Sequence, residues 1–353
     1  MKRYGNIYPK IYDMDNLREA HKNARKDKAY YKDVQMVNAN EDFYLNQIRE
    51  MLMNRMYEVS KYEIKNINDK GKERQLMKLP YFPDRIIQWA IMLQIEHVFL
   101  KVFTDFTCAS IKYRGIHKAS RILDRYMTDV PGTQYCLKLD VNKFYPSIDH
   151  EILKSLLQRK FKDPDLLDLL FKIIDSIPGK KGVPIGSYLS QYLANFYLAY
   201  FDHWLKEQQG VKYVIRYMDD VVILHSSKEF LHDLRRKLNA YLISELRLKL
   251  KDNWQIFPTA VRGIDFVGYR HFYDFKLLRK SSCKRFKKKM NAVRKVVNQN
   301  KPITFKDYCA VNSYNGWLAW CDSFRLSQKY IAPIKAAIDE FYLTKIKGKV
   351  VTV

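Results

Sequence analysis

A chain of 353 residues with 63 Lys and Arg against 38 Asp and Glu carries a formal charge of +25, and a surplus of that size seeks a polyanion, most simply nucleic acid. The length allows a large core and two or three subdomains. A membrane surface would also attract such a charge, but no long uncharged apolar span, N-terminal signal peptide or lipidation motif supports it, so a cytoplasmic protein is expected. The five cysteines, Cys108, Cys136, Cys283, Cys309 and Cys321, are scattered and never form a CxxC pair. They suggest neither a zinc site nor a disulfide framework, and idle thiols in a reducing compartment are expected.

From Asp15 to Tyr57 the sequence is charged, with Leu45, Ile48, Met51 and Leu52 at helical spacing, which predicts helices. Lys72 to Pro80 reads as a short basic strand. A helix is predicted from Asp84 through Leu100, carrying Ile86, Trp89, Ala90 and Leu93 on one side. From Tyr135 to about Tyr273 short strands alternate with helices, and from Leu277 onward the pattern is helical, opening on the basic run Arg279-Lys280, Lys284-Arg285 and Lys287-Lys288-Lys289. There is no internal repeat and no low-complexity tract.

The chemistry lies in the alternating segment. Tyr217-Met218-Asp219-Asp220 sits inside the apolar run Val214-Ile215-Arg216 and Val221-Val222-Ile223-Leu224, which reads as strand, turn and strand with two like charges at the tip. Such a pair is unfavourable unless something positive binds there, and metal ions answer that need. Leu137 to Val141 is a second strand ending at Asp140, the natural third ligand, and Asn142 to His150 turns it toward a helix. Nucleotidyl transfer by two metals needs carboxylates that hold two Mg²⁺ ions roughly 3.5–4 Å apart. Mg²⁺ takes oxygen ligands and keeps several waters, so Asp140 and Asp219 bridging both ions, with Asp220 as auxiliary, suffice when a triphosphate supplies the rest.

Asp140 followed by Phe144-Tyr145-Pro146-Ser147-Ile148-Asp149, then Gly182 to Gln191, then Tyr217-Met218-Asp219-Asp220, resembles motifs A, B and C of reverse transcriptases in order. Phe266-Val267-Gly268-Tyr269-Arg270 is similar to their primer grip at Val267, Gly268 and Tyr269. The resemblance implies an α+β right-hand polymerase fold with an antiparallel palm sheet and a helical thumb bundle: fingers at 1–135, palm at 136–275 and thumb at 276–353. It implies an RNA-directed DNA polymerase with two Mg²⁺ ions, the metal set being Asp140, Val141, Asp219 and Asp220, and with deoxynucleoside triphosphates and a primed RNA template as substrates.

In that family Tyr145 corresponds to the aromatic that rejects a 2′-hydroxyl. Phe144, Ile185 and Gly186 belong to the same nucleotide site, where glycine lets the backbone approach. Arg74, Lys78 and Arg85 stand where fingers residues grip the triphosphate, and Lys249 or Lys251 is in place to supply a proton to pyrophosphate.

Retroviral enzymes carry Gln at the start of motif B and Ser-Pro at its end, whereas this chain has Ile185 and Ser190-Gln191. Ile185-Gly186 with Ser190-Gln191, Arg262 to Arg270 and Lys276 to Ser282 resembles the enzyme of diversity-generating retroelements. That resemblance implies a bacterial or phage source, a structured template RNA, a small basic accessory-protein oligomer, and misincorporation opposite template adenines. The short stretch after the primer grip fits a compact thumb without maturase or endonuclease modules. Two other readings stand beside this one: an antiphage or other bacterial reverse transcriptase, and a catalytically silent RNA-binding scaffold. Among residues with a bland alternative, Tyr192, Phe196, Tyr197 and Tyr200 read as core, His117 as structural, Asp149, His150, Asp202 and His203 as caps or scaffold, and Lys284–Lys289 as a nucleic-acid contact or a solvated helix face.

Overall fold

The computed structural model describes residues 2–69, 72–184 and 186–347, with the backbone alone for Asp69, Lys72, Glu73 and Arg74. By internal packing the chain divides into two units, the first made of Met1–Lys112, Lys138–Val221 and His232–Trp254, the second of Tyr113–Leu137, Val222–Leu231 and Gln255–Val353. Among the described residues no helix is long and apolar enough to cross a membrane, and none of the five cysteines is in a disulfide.

The first unit opens with helices Tyr8–Ile11, Met14–Ala24, Lys32–Ala39 and Glu41–Met53, where the 45, 48, 52 spacing predicts a buried stripe. Leu45, Ile48 and Leu52 are buried there, and the Asp13 carboxylate caps the second helix by accepting from the Asp15 and Asn16 N–H groups, the usual way to satisfy its orphan donors. Two antiparallel strands follow, β1 (Glu63–Asp69) and β2 (Lys72–Lys78), with Glu63 opposite Lys78 and Asp69 opposite Lys72. The basic strand expected from Lys72 is β2. Its partner β1 gave no signal because its apolar residues do not alternate, and Ile64 and Ile67 are exposed.

Helix Ile86–Leu100 is the hub of this unit, packed against Met14–Ala24 and Tyr188–Tyr197. A single apolar face through Trp89 and Leu93 is too narrow a description. Ile86, Ile87, Ala90, Ile91, Met92, Ile95, Val98 and Phe99 are all buried, so the helix is covered on almost every side, as a central core helix is. Tyr192, Phe196 and Tyr197 are fully buried beside it, and Tyr200 is half-buried with Arg159 over its ring. Helix Tyr188–Tyr197 starts earlier than Ser190, because Ser187 is its cap, accepting from the Ser190 N–H.

The hairpin that carries Asp219 and Asp220 is β4 (Tyr213–Tyr217) and β5 (Asp220–His225), with β3 (Tyr135–Asp140) the next strand in the sheet. In the second unit β6 (Gln255–Pro258) lies beside the first half of β3. Strands β7 (Ile264–Phe266), β8 (Tyr269–His271) and β9 (Lys276–Leu278) form an antiparallel sheet of the second unit. Helices Lys280–Asn298 and Phe305–Leu318 then pack on it through Tyr269, Leu278, Phe286, Met290, Val293, Val311 and Leu318. His117 stacks on Trp320 with ring centroids 4.1 Å apart, which is the structural role expected of it. On helix Lys280–Asn298 the basic run is exposed at Lys284, Arg285, Lys287 and Lys288, while Phe286 and Met290 turn to the core.

Candidate active site

The turn between β4 and β5 is made by Met218 and Asp219, with Met218 at φ +57°. That left-handed residue lets two strands meet across a two-residue loop, and it puts Asp219 at the tip with Asp220 opening β5. Across from it, β3 ends at Asp140, and Lys143 at φ +43° turns the chain into the short helix Phe144–Ser147. The backbone ties these segments together: the Val141 N–H donates to the Asp219 carbonyl at 3.3 Å, the Lys251 N–H to the Asp140 carbonyl at 2.9 Å, and the Asn142 N–H to the Lys249 carbonyl at 2.8 Å.

The Asp140 and Asp219 carboxyls face each other at hydrogen-bond range. Burial, first, and then the neighbouring Asp140 push the Asp219 carboxyl up to about 7, because two like charges in a partly dry site cannot both ionise without a cation. Lys251 Nζ approaches Asp140 Oδ2 at 2.5 Å, and Lys138 Nζ lies 3.4 Å from Asp220 Oδ2. Asp140 Oδ1 is buried and has no hydrogen-bond partner. The structure therefore brings Asp140 and Asp219 together, whereas Asp220 is paired with Lys138.

Among the described residues no group of three His, Cys, Asp or Glu side chains forms a ready-made metal cage. That donor set fits Mg²⁺, which is held by one or two carboxylates plus substrate phosphates rather than by an all-protein cage. Asp140 and Asp219 are the residues placed to hold it. Val141, expected in the metal set, is buried with its backbone against the turn. Of the two lysines considered as proton donors, Lys251 reaches a carboxylate of the pair, while Lys249 is exposed.

Tyr145 is half-buried, and its phenol is pushed up by burial, then by Asp219 and by Tyr217, so it lies within electrostatic reach of Asp219. Phe144 is buried, 2 % exposed, with its ring 5.8 Å from that of Tyr145. It backs the tyrosine from the core. The loop of motif B is hydrogen-bonded to the same turn, the Val183 N–H to the Tyr145 carbonyl at 3.1 Å and the Gly182 N–H to the Ile148 carbonyl at 2.7 Å.

A cleft of about 240 Å³ in the first unit is lined by Lys65, Lys78, Arg85, Gln88, Trp89 and Gly186, among others. Gly186 has φ +115°, and a Cβ added there would meet nothing within 4 Å, so the open space above it belongs to the cleft. Trp89 stacks on Tyr188 at 4.4 Å, and Ser187 Oγ donates to Gln88 Oε1 at 2.5 Å. Arg85 has its Nε buried with no acceptor. Lys78 and Arg85 are thus brought to one cleft; Ile185 and the Arg74 side chain lie outside the described residues.

Beneath the turn lies a group that the sequence reading did not assign to the site. Arg216, fully buried, grips Asp202 through Nε (2.7 Å) and Nη2 (2.5 Å), and its Nη1 donates to Asn195 Oδ1 at 3.2 Å and to the Met218 carbonyl at 3.0 Å. Thr107 Oγ1 adds a hydrogen bond to Asp202 at 2.8 Å. The signal was present: a charged residue inside an apolar strand demands a buried partner, and Asp202 is that partner. Asp149, read as a cap, accepts from the Glu151 and Ile152 N–H groups.

In the second unit Val267 (φ +41°) and Gly268 (φ +93°) form the two-residue turn between β7 and β8, with Phe266 opposite Tyr269. A Cβ on Gly268 would run into the Trp317 indole. Tyr269 is fully buried and donates from its hydroxyl to the Trp317 carbonyl at 3.1 Å. Its side chain is a core pillar of the turn expected to be the primer grip.

A family model described as reverse transcriptase (RNA-dependent DNA polymerase) matches residues 64–271. The chain is 24% identical over 242 residues to Protein YkfC of Escherichia coli (strain K12), covering 57% of this chain and 63% of that protein. It is 22% identical over 286 residues to the Group II intron-encoded protein LtrA of Lactococcus lactis subsp. cremoris, covering 61% of this chain and 46% of that protein. The chain spans less than two thirds of the length of these relatives. A solved telomerase from Candida albicans, in complex with a TWJ fragment of telomeric RNA, aligns with a TM-score of 0.48 and 11% identity, over 67% of this chain and 51% of that one. Because the family match takes in Asp140, Asp219 and Asp220 and runs over more than half of the chain, this protein belongs to the reverse transcriptase (RNA-dependent DNA polymerase) family.

Proposed function

We propose that the chain is an RNA-directed DNA polymerase acting at Asp140 and Asp219, with fingers at 1–135, palm at 136–275 and thumb at 276–353. The observation that carries the reading is the apposition of those two carboxyls, with Asp140 Oδ1 buried and unpartnered. Divalent metal, the usual cofactor of the family, supplies activation of the primer 3′-oxygen and stabilisation of the leaving phosphate when bound.

The chain's own groups do the rest. Lys78 and Arg85 neutralise triphosphate charge in their cleft, Arg85 with a fork suited to phosphate oxygens. Gly186 keeps the cleft floor open, and Tyr145 fills the space beside the sugar. Lys251 holds a proton within reach of the carboxylate pair and is better placed than Lys249 to hand one to the departing pyrophosphate. Asp219→Ala with Asp220→Ala tests the reading: primer extension on an RNA template is lost while RNA binding, which rests on Lys and Arg, is retained. Undiminished extension would overturn it.

Within the family the pattern Ile185-Gly186 with Ser190-Gln191 favours the enzyme of a diversity-generating retroelement, working by mutagenic retrohoming with a structured template RNA and a small basic accessory oligomer. An aliphatic side chain at Ile185 offers no amide to hold the incoming sugar, so correct and incorrect nucleotides differ less in transition-state energy. Deep sequencing of cDNA from one template reads this directly. Frequent errors opposite adenine, reduced by Ile185→Gln, support the subclass, and a low, base-independent error rate leaves an antiphage or other bacterial reverse transcriptase.

A further inference from the structure

A second cleft of the first unit, about 300 Å³, is lined by Lys28, Tyr31, Lys32, Lys78 and Arg85, with Asp33 the carboxylate that faces it. Glu63 Oε2 lies 4.0 Å from Lys78 Nζ and Asp27 stands beside Lys28, so four cations meet three carboxylates, a surplus that favours a polyanion. Burial, and then Arg85, push the Lys28 ammonium down against the pull of Asp27, and the buried Arg85 Nε has no acceptor. At the rim, Tyr30 and Tyr31 pack ring on ring, centroids 4.4 Å apart and tilted by 32°. Both rings face solvent, 70% and 46% exposed, and Lys78 Nζ lies 5.7 Å from the Tyr31 ring centroid.

Exposed aromatics beside a basic groove are what an unpaired strand needs, since every base has a π-face to stack and every phosphate a charge to neutralise. Double-stranded nucleic acid hides its base faces and gains nothing from the tyrosines. Lys78, Leu79 and Arg85 line both this cleft and the nucleotide cleft that holds Gly186, so a strand with one base in the second has its neighbours at the first. We propose that Tyr30, Tyr31, Lys28 and Lys32 form a subsite for the unpaired 5′ part of the template strand, with a base stacked on the tyrosine pair and phosphates on the lysines.

This subsite rests on the polymerase reading only for the identity of the strand, and the test separates the two. Full-length protein is titrated with a fluorescein-labelled oligouridine without Mg²⁺ or nucleotides. It is then assayed on two RNA templates that carry the same primer duplex and a 5′ overhang of either one or a dozen nucleotides. Tyr30→Ala with Tyr31→Ala weakens oligouridine binding about tenfold and slows extension on the long overhang but not on the short one. Tyr30→Phe with Tyr31→Phe, which keeps the rings, restores both readings. Lys28→Ala with Lys32→Ala flattens the slope of log affinity against log salt by about 1.4.

Unchanged oligouridine affinity in both alanine pairs, as an acidic protein partner at this cleft would give, overturns the subsite. So does equal loss on the two overhangs. Wild-type protein that binds oligouridine through these residues yet extends neither primer overturns the polymerase reading and leaves a single-strand RNA site.

Discussion

Arg216 donates from Nη1 to the carbonyl of Met218 at 3.0 Å, so the left-handed residue of the catalytic turn is fixed by a guanidinium whose other face is held by Asp202. Arg216→Met leaves Asp202 in the core with the Thr107 hydroxyl but without its cation, a loss of about 3–5 kcal/mol for a broken buried pair. The double variant Arg216→Met with Asp202→Leu removes both charges and recovers most of that stability. It does not recover primer extension, because the Met218 carbonyl still lacks its donor and Asp219 its fixed place. Urea denaturation and extension rates, measured on both variants, separate the folding role from the positioning role; recovery of both together would reduce Arg216 to a fold element.

Lys251 neutralises Asp140 from Oδ2, next to the unpartnered Oδ1. Removing it as Lys251→Ala leaves the Asp140 and Asp219 charges to be balanced by metal alone, so the rise in melting temperature on adding Mg²⁺ is larger than in the wild type. Asp140→Asn removes the rise. A thermal shift series in Mg²⁺ reads both, and a rise that survives in Asp140→Asn would place the metal elsewhere.

Much of this site was legible in the sequence because its chemistry is local. A strand ending at Asp140, a turn at Asp219 and a glycine at Gly186 are each written within a few residues, and the turn needs only the apolar runs on both sides to be recognised. What could not be read is what depends on chain segments far apart in sequence. Which way the Tyr269 side chain turns depends on which face of its strand the core takes, and a period-two alternation does not say; Phe144 lies in the short helix after Asp140, where only the packed fold shows that its ring is buried. Arg216 required knowing that Asp202 would arrive beneath it. The β1 strand escaped because exposed hairpins carry no buried stripe, and the tyrosine pair at Tyr30 and Tyr31 because aromatics in sequence look like core until their exposure is known.

Acid will loosen one contact in the second unit. Burial pushes the Asp124 carboxyl up, but hydrogen bonds from His271 and Lys276 outweigh it and hold the group below the usual carboxylate range, with His271 Nδ1 at 2.6 Å and Lys276 Nζ at 2.7 Å. A carboxylate lowered in the folded state contributes stability that is fully present above its unfolded value, near pH 4, and is lost as pH falls through the folded one. The side chain is 41% exposed, so solvent screening limits the contribution to about 1 kcal/mol. Melting curves of wild type and Asp124→Asn should differ at pH 7 and converge toward pH 3. A gap that persists at pH 3 would assign the effect to packing rather than charge.

Tyr145 is expected to set the choice of sugar by volume. Its ring lies 5.8 Å from that of the buried Phe144, and its backbone is fixed to the motif B loop, whose Val183 N–H donates to the Tyr145 carbonyl at 3.1 Å. Burial, Asp219 and Tyr217 all favour the neutral phenol, and no charge at Tyr145 enters the selection. Tyr145→Ala opens room for a 2′-hydroxyl without touching the carboxylates, and the preference for deoxynucleotides over ribonucleotides should fall at least about tenfold, the scale on which a pocket discriminates by shape. Tyr145→Phe keeps the volume and should keep the preference. Single-nucleotide incorporation with each sugar gives the ratio of kcat/KM values for the three proteins. A fall in Tyr145→Phe as large as in Tyr145→Ala would mean that the hydroxyl, not the ring, reads the sugar.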